Sequence, residues 1–337
     1  MASSNSPSAS GACKSFISEV AMELFKVRTH VDFMSRRWIF LGVSALLIIA
    51  SVAVFLVRGL NYSIDFTGGT LVELAFSKTP DLGAVRGTLT QAGFHDAVVQ
   101  TFGGDRDLLI RLRTVPGESS AVGNTILQVF RKDQVEYPDV QLRRTEYVGP
   151  EVGKELRNKG IMALIIVTLG ILIYVGFRFE WRFAVGGVLA MLHDPILVVG
   201  FFAISHEEFS LTVIAALLVI MGYSLNDTVV VFDRMREDLR ASRSGDVAQI
   251  FNVAINETLS RTVITSFITF MVALSLFLFG GPVIHGFATA LVIGVVVGTY
   301  SSIFVASPIA LWLGLKREHV LKRQFISAKD RNDGAAL

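Results

Sequence analysis

Two carboxylates interrupt long apolar stretches of this chain, Asp194 and Asp227. An ionisable group at bilayer depth costs about 2.5 to 3.5 kcal/mol on insertion scales, so it ordinarily faces a bundle interior and works there. Asp227 stands in Gly222-Tyr-Ser-Leu-Asn-Asp-Thr228. Tyr223 and Ser224, at i−4 and i−3, share its helical face and can hydrogen-bond to it or hold water near it, and Asn226 adjoins it. Asp194 follows His193 and precedes Pro195, whose missing N–H frees a carbonyl near the acid. Arg261 opens a later apolar stretch, with Thr265 and Thr269 at i+4 and i+8 on one face. A carboxylate that alternately pairs with an arginine and binds a proton makes a membrane proton relay. The candidates are Asp227, Arg261, Asp194 and His193, supported by Tyr223, Ser224, Asn226, Thr265 and Thr269. A plainer reading stands beside this one: Arg261 as a surface anchor, the threonines satisfying backbone carbonyls, and His193 as a packing residue.

These residues need membrane helices to position them. Hydrophobic residues make up 52% of the 337 positions and charged residues 18%, against about 25% charged in an average soluble domain. The shortfall is concentrated in windows of about 20 residues, the length that crosses a bilayer core. This composition excludes a disordered chain, a collagen-like repeat and a disulfide scaffold. A net charge of +2 without a basic stripe gives no case for nucleic acid. The single cysteine, Cys13, excludes an internal disulfide and a multi-thiolate metal site. No cofactor, metal or covalent catalysis is expected. Residues 1–12 are polar and Ser-rich, without the apolar core of a cleaved signal peptide.

Six spans follow, at residues 39–57, 161–177, 183–204, 209–232, 262–284 and 287–315. Arg36, Arg37, Arg178, Arg182, Arg234, Arg236, Arg240, Arg243, Lys316 and Arg317 gather in the short segments on one side. The opposite short loops, 205–208 and 280–285, hold no Lys or Arg. By the positive-inside rule both ends are cytoplasmic and the long 58–159 segment is outside. The expected organisation is a cytoplasmic tail over 1–36, a first membrane helix over 37–57, an external domain over 58–159, five further helices within 160–315, and a cytoplasmic tail over 316–337. Residues 233–259 carry apolar Val247, Ile250, Phe251, Ala254 and Ile255 at helical spacing, which predicts an amphipathic helix on the cytoplasmic surface.

The external segment alternates like a small soluble domain. Strands are expected at 70–76, 97–102, 107–115 and 140–148, and helices at 81–92 and 120–132. Gly103-Gly104-Asp105 is a hairpin signal. The order is β-α-β-β-α-β, a ferredoxin-like α+β domain. It shows no nucleophile–base pair and no metal-ligand cluster, so a docking or binding module is expected. Just ahead of it, Asp65, Thr67, Gly68 and Gly69 form a turn or bulge motif. It lacks the lysine and spacing of a phosphate loop.

Several stretches together resemble the SecF family of bacterial protein-export membrane subunits, within the SecD/SecF group of the RND superfamily. They are Asp65-Phe-Thr-Gly-Gly-Thr70, Val148-Gly-Pro-Glu-Val-Gly153, Tyr174-Val-Gly-Phe-Arg-Phe-Glu-Trp-Arg182, His193-Asp194, Gly222-Tyr-Ser-Leu-Asn-Asp-Thr228, Ser260-Arg-Thr262 and Phe279-Gly-Gly-Pro282. The resemblance implies half of a twelve-span RND arrangement in the bacterial inner membrane, paired with SecD beside the SecYEG channel. It also implies YajC and YidC as companions and the proton-motive force as the driver, acting late in the export of preproteins pushed by SecA. The family's relay falls on Asp227 and Arg261. Two other functions keep the same residues, a small-molecule or lipid exporter half of RND type and a non-conducting scaffold of the translocase.

Overall fold

The computed structural model describes residues 29–102, 104–112, 119–133, 136–242 and 246–321. The expected tails, Cys13, Gly103, residues 113–115 of one strand, and Arg243 therefore lie wholly or largely outside the described residues. Among the described residues six helices are long and apolar enough to cross a membrane. The first, α1, is Arg37–Arg58, about 33 Å of helix. Most of its large apolar side chains face outward, whereas Ser44 and Ser51 are buried. A Cβ at Gly200 would lie 2.9 Å from the Ser51 backbone. Small residues thus let the two backbones approach, as membrane packing without a hydrophobic drive between helices requires.

After α1 the chain forms the two-residue strand β1 (Asn61–Tyr62) and the one-turn helix α2 (Ile64–Thr67). Next come β2 (Gly69–Ala75), α3 (Leu82–Gln91), β3 (Val98–Thr101), β4 (Asp107–Leu112), α4 (Ser119–Arg131) and β5 (Gln141–Val148). The β-α-β-β-α-β order read from the sequence is present. The sheet runs β3-β4-β2-β5, with every neighbour antiparallel. Alternate residues of the central strand pair, Val72, Leu74, Leu108 and Ile110, turn inward against Val85, Leu89, Ile126 and Phe130 of the two helices. Asp81 caps α3 by accepting from the Gly83 N–H at 2.8 Å.

The remaining membrane helices are α5 (Pro150–Arg178), α6 (Trp181–Ser205), α7 (Leu211–Ala241), α8 (Val247–Phe279) and α9 (Pro282–Ser301). Between α6 and α7 the strand β6 (Glu208–Phe209) pairs in parallel with β1. After α9 a π-helical turn, Ser302–Ala306, leads into α10 (Ser307–Trp312). Helix α5 begins eleven residues before the expected span at 161, because Pro150 occupies its first position with φ already set for a helix. Helix α6 continues through Pro195 and ends at His206, a left-handed residue with φ 59°.

The amphipathic surface helix expected over 233–259 is replaced by two helix extensions. Residues 233–241 prolong α7 and residues 247–259 open α8, capped by Asp246. The apolar positions that suggested a membrane-surface face find a protein core instead. Phe251, Ala254 and Ile255 are buried with Phe179, Phe183, Phe232 and Met235. The Phe183 ring lies 4.8 Å from Phe232 and 6.1 Å from Phe251, centroid to centroid. Apolar area already covered by aromatic neighbours has no need of lipid.

Candidate functional site

The ionisable residues singled out in the spans do lie inside the bundle. Asp194 is fully buried, His193 is 1% exposed and Asp227 is 2% exposed. Asp227 sits on α7, and its Oδ2 accepts from Ser266 Oγ of α8 at 3.4 Å. Ser266 Oγ in turn takes the Tyr223 hydroxyl proton at 2.8 Å, and Thr299 Oγ1 of α9 lies equally close. A hydroxyl that accepts from neighbours keeps its one proton for the acid, so the arrangement directs Ser266 at Asp227.

A second cluster joins α6, α7 and α9. Asp194 Oδ1 is 2.8 Å from His193 Nδ1, and its Oδ2 accepts from Ser301 Oγ at 2.9 Å. Ser301 Oγ lies 3.5 Å from Ser224 Oγ. The other ring nitrogen, His193 Nε2, is buried without a hydrogen-bond partner. The His193 ring stacks on Tyr300, whose hydroxyl donates to the Phe40 carbonyl and accepts from Ser44 of α1. Gly298 makes this convergence possible. A Cβ there would stand 3.2 Å from Ser224 Cβ and 3.5 Å from Asp194 Oδ2. The π-helical turn follows directly, a feature that often accompanies functional positions in helices.

The structure does not bring Arg261 to Asp227. Thr262 and Ser266 face the bundle from α8, and Arg261 precedes Thr262 by one residue, about 100° round the helix. Arg261 is exposed and lines a groove of about 560 Å³ with Val230, Asp233, Arg234, Glu237, Glu257 and Thr258. Its helical followers behave as the plainer reading has it. Thr265 Oγ1 donates to the Arg261 or Thr262 carbonyl and Thr269 Oγ1 to the Thr265 carbonyl. Asn226 is exposed on the outer face of α7 and does not join the acid.

Ser266, Thr299, Ser301 and Gly298 were missed by the sequence reading. The available signal was the hydroxyl run Thr299-Tyr300-Ser301-Ser302 inside an apolar span. Among the described residues no group of three or more His, Cys, Asp or Glu could hold a metal ion.

The motif ahead of the sheet is a capped helical turn rather than a bulge. Ser63 Oγ accepts from the Asp65 N–H, and Thr67 Oγ1 donates to the Ser63 carbonyl. Gly68 follows at φ 70° and Gly69 at φ 134°. Only glycine adopts these conformations cheaply. Asp65 Oδ2 accepts from the Leu211 N–H, the first of α7, at 2.9 Å.

The described residues define a membrane protein with six helices apolar enough to span, an α+β domain after the first of them, and two buried clusters of acids and hydroxyls. The family description "Protein export membrane protein SecD/SecF, C-terminal" matches residues 129–316, and the SecD/SecF GG motif matches residues 53–80. The protein translocase subunit SecF of Escherichia coli O157:H7 is 45% identical over 299 residues, covering 88% of this chain and 92% of that one. The SecF of Pseudomonas aeruginosa is 43% identical, over 90% and 97% of the two chains. The crystal structure of SecDF, a translocon-associated membrane protein from Thermus thermophilus, superposes with a TM-score of 0.77 at 37% identity. A SecDF structure in a super-membrane-facing form gives 0.62 at 36% identity. This chain covers 85% and 91% of itself in these matches, but only 39% and 40% of the SecDF chains. The chain belongs to the SecD/SecF family of protein export membrane proteins.

Proposed function

We propose that the chain serves as a membrane subunit of the Sec protein translocase, pairing with a SecD half and using the proton-motive force to assist late steps of export. Its proton carriers are Asp227 and the Asp194–His193 pair, and Arg261 is the counter-charge. The observation that carries this reading is Asp227 at 2% exposure within the membrane bundle, held by a serine hydroxyl and not by a cation. A carboxylate so placed can gain and lose a proton without breaking an ion pair. Arg261 engages it in a different rotation or tilt of α8. The placement is the bacterial inner membrane, with the sheet domain periplasmic and the long ends of α7 and α8 cytoplasmic. SecYEG, SecA-driven preproteins, YajC and YidC are the surrounding partners. The subunit performs no covalent catalysis.

The test is export in a depleted strain complemented with Asp227→Asn. Removing a charge from the membrane eases insertion, so the variant accumulates and pairs normally but fails to support gradient-driven export. Arg261→Met fails in the same way, and Asp227→Glu retains part of the function. Wild-type gradient-driven export by Asp227→Asn at normal protein level rules out this role for Asp227. A scaffold role predicts the opposite order, with Asn tolerated and Glu harmful.

A further inference from the structure

We propose that Asp65 is a positioning residue that ties the N-terminus of α7, the helix carrying Asp227, to the sheet domain. The inference rests on the relay reading of Asp227 for its functional consequence. Its structural basis is independent of that reading.

The first N–H groups of a helix have no partner within it. In α7 the N-cap residue Ser210 supplies none, since its hydroxyl is engaged with Thr212 Oγ1 at 2.7 Å. The Leu211 N–H is satisfied by Asp65, which lies 146 residues earlier in the chain. A carboxylate at this end also complements the helix dipole.

Asp65 is itself held to the junction on all sides. Its own N–H is capped by Ser63, and the Ser63 N–H donates to the Phe209 carbonyl at 3.0 Å. Ile64 and Phe66 beside it are buried, and the Phe66 ring is 6.2 Å from Phe209. On the sheet side, Gly69 opens β2 directly. Arg111 of β4 donates to Asn61 Oδ1 at 2.9 Å and stands 3.9 Å from Glu208. A displacement of the sheet therefore displaces Asp65, and with it the first turn of α7. Helix α7 is unbroken from Leu211 to Ala241, so the displacement reaches Asp227, about 24 Å along the axis.

The experiment uses the full chain with its SecD partner in lipid vesicles. Spin labels are placed at Val98→Cys on the sheet edge and Ala241→Cys at the far end of α7, in a Cys13→Ser background. The reading is the change in the label–label distance distribution caused by Asp227→Asn. Both labelled positions are exposed. The expected result is a clear population change with Asp65 present and a response about fivefold smaller in Asp65→Ala, the factor typical of a lost helix cap. Asp65→Asn keeps an oxygen acceptor and retains most of the response.

A second variant cuts the same tie from the other end. Leu211→Pro removes the N–H that Asp65 accepts, at a first helical position where proline is well tolerated. Ser210 before it is already extended, as a residue preceding proline prefers. Leu211→Pro should reproduce the Asp65→Ala result even if the alanine variant accumulates poorly. An undiminished response in both variants overturns the proposal, and so does the absence of any response with Asp65 intact. Gradient-driven export by Asp227→Asn, measured in the same vesicles, judges the relay reading separately.

Discussion

Ser266 Oγ donates to Asp227 Oδ2 at 3.4 Å across the α7–α8 contact, while Arg261, five residues before Ser266, faces outward. The acid's principal neighbour in the bundle is therefore a hydroxyl shared among Tyr223, Thr299 and the carboxylate. Ser266→Ala leaves the Tyr223 hydroxyl without its acceptor, while Thr299 keeps the Val295 carbonyl at 2.7 Å. A membrane hydrogen bond averages about 0.6 kcal/mol, so the protein should accumulate with a slightly lower melting temperature. Gradient-driven export should fall several-fold, while Ser266→Thr, which keeps the hydroxyl, should preserve it. Export by Ser266→Ala at the wild-type rate rejects a role for this hydroxyl.

The Asp194 cluster answers to removal of the acceptor more than of the charge. Asp194→Leu strips the partner from His193 Nδ1 and leaves the Ser301 hydroxyl only the Gly298 carbonyl, 3.1 Å away, to donate to. Buried groups left unsatisfied cost about 1 to 3 kcal/mol each. Thermal denaturation in detergent should show a clear drop for Asp194→Leu and a much smaller one for Asp194→Asn. Equal melting temperatures for the two variants contradict the hydrogen-bonding account.

Gly69→Ala tests the motif ahead of the sheet. At φ 134° a Cβ would lie 2.4 Å from the Leu112 carbonyl oxygen, on the strand that β2 pairs with. The expected cost is roughly 2 to 3 kcal/mol from strain and displaced strands. Faster limited proteolysis of the sheet domain is the readout. Gly87→Ala, in α3 with nothing within 4 Å, is the control and should stabilise slightly.

Glu208 gives the junction a pH dependence. Burial is the main cause raising its pKa from 4.5, opposed by the Arg111 and Arg144 guanidiniums and aided by the Asp65 and Glu146 carboxylates. A carboxyl whose folded-state pKa lies above its unfolded value favours folding in its protonated form. That contribution is full below the unfolded value and is lost as pH rises through the folded one. Glu208→Gln should therefore raise the melting temperature at neutral pH relative to wild type and give no advantage under acid conditions. The same advantage at both pH values contradicts this assignment.

Topology can be read with a membrane-impermeant maleimide on whole cells with a permeabilised outer membrane. Val98→Cys should react from outside, and Ala241→Cys only after the inner membrane is opened. Reaction of both from the same side contradicts the proposed orientation.

The order of elements was legible in the chain because its signals are local. Charge-free windows mark the spans, and short apolar runs such as Thr70 to Phe76, set between turn residues, mark the strands. The buried acids were legible too, since a carboxylate in an apolar window is conspicuous wherever the helix packs. The partners of those acids were decided by tertiary structure. Ser266, Thr299 and Ser301 matter through the helices that face them, and helical spacing says which residues share a face without saying what that face meets. Arg261 shows the limit most clearly. A displacement of one residue from Thr262 turns it about 100° away from the bundle, and only the packing of α8 on α7 decides which of the two points inward. The 233–259 segment failed for the same reason: its apolar stripe was real, but a lipid surface and the Phe179–Phe183–Phe232 cluster satisfy such a stripe equally well. The link from Asp65 to Leu211 had no sequence signal at all, because a helix cap supplied from 146 residues away exists only once the chain has brought the two ends together.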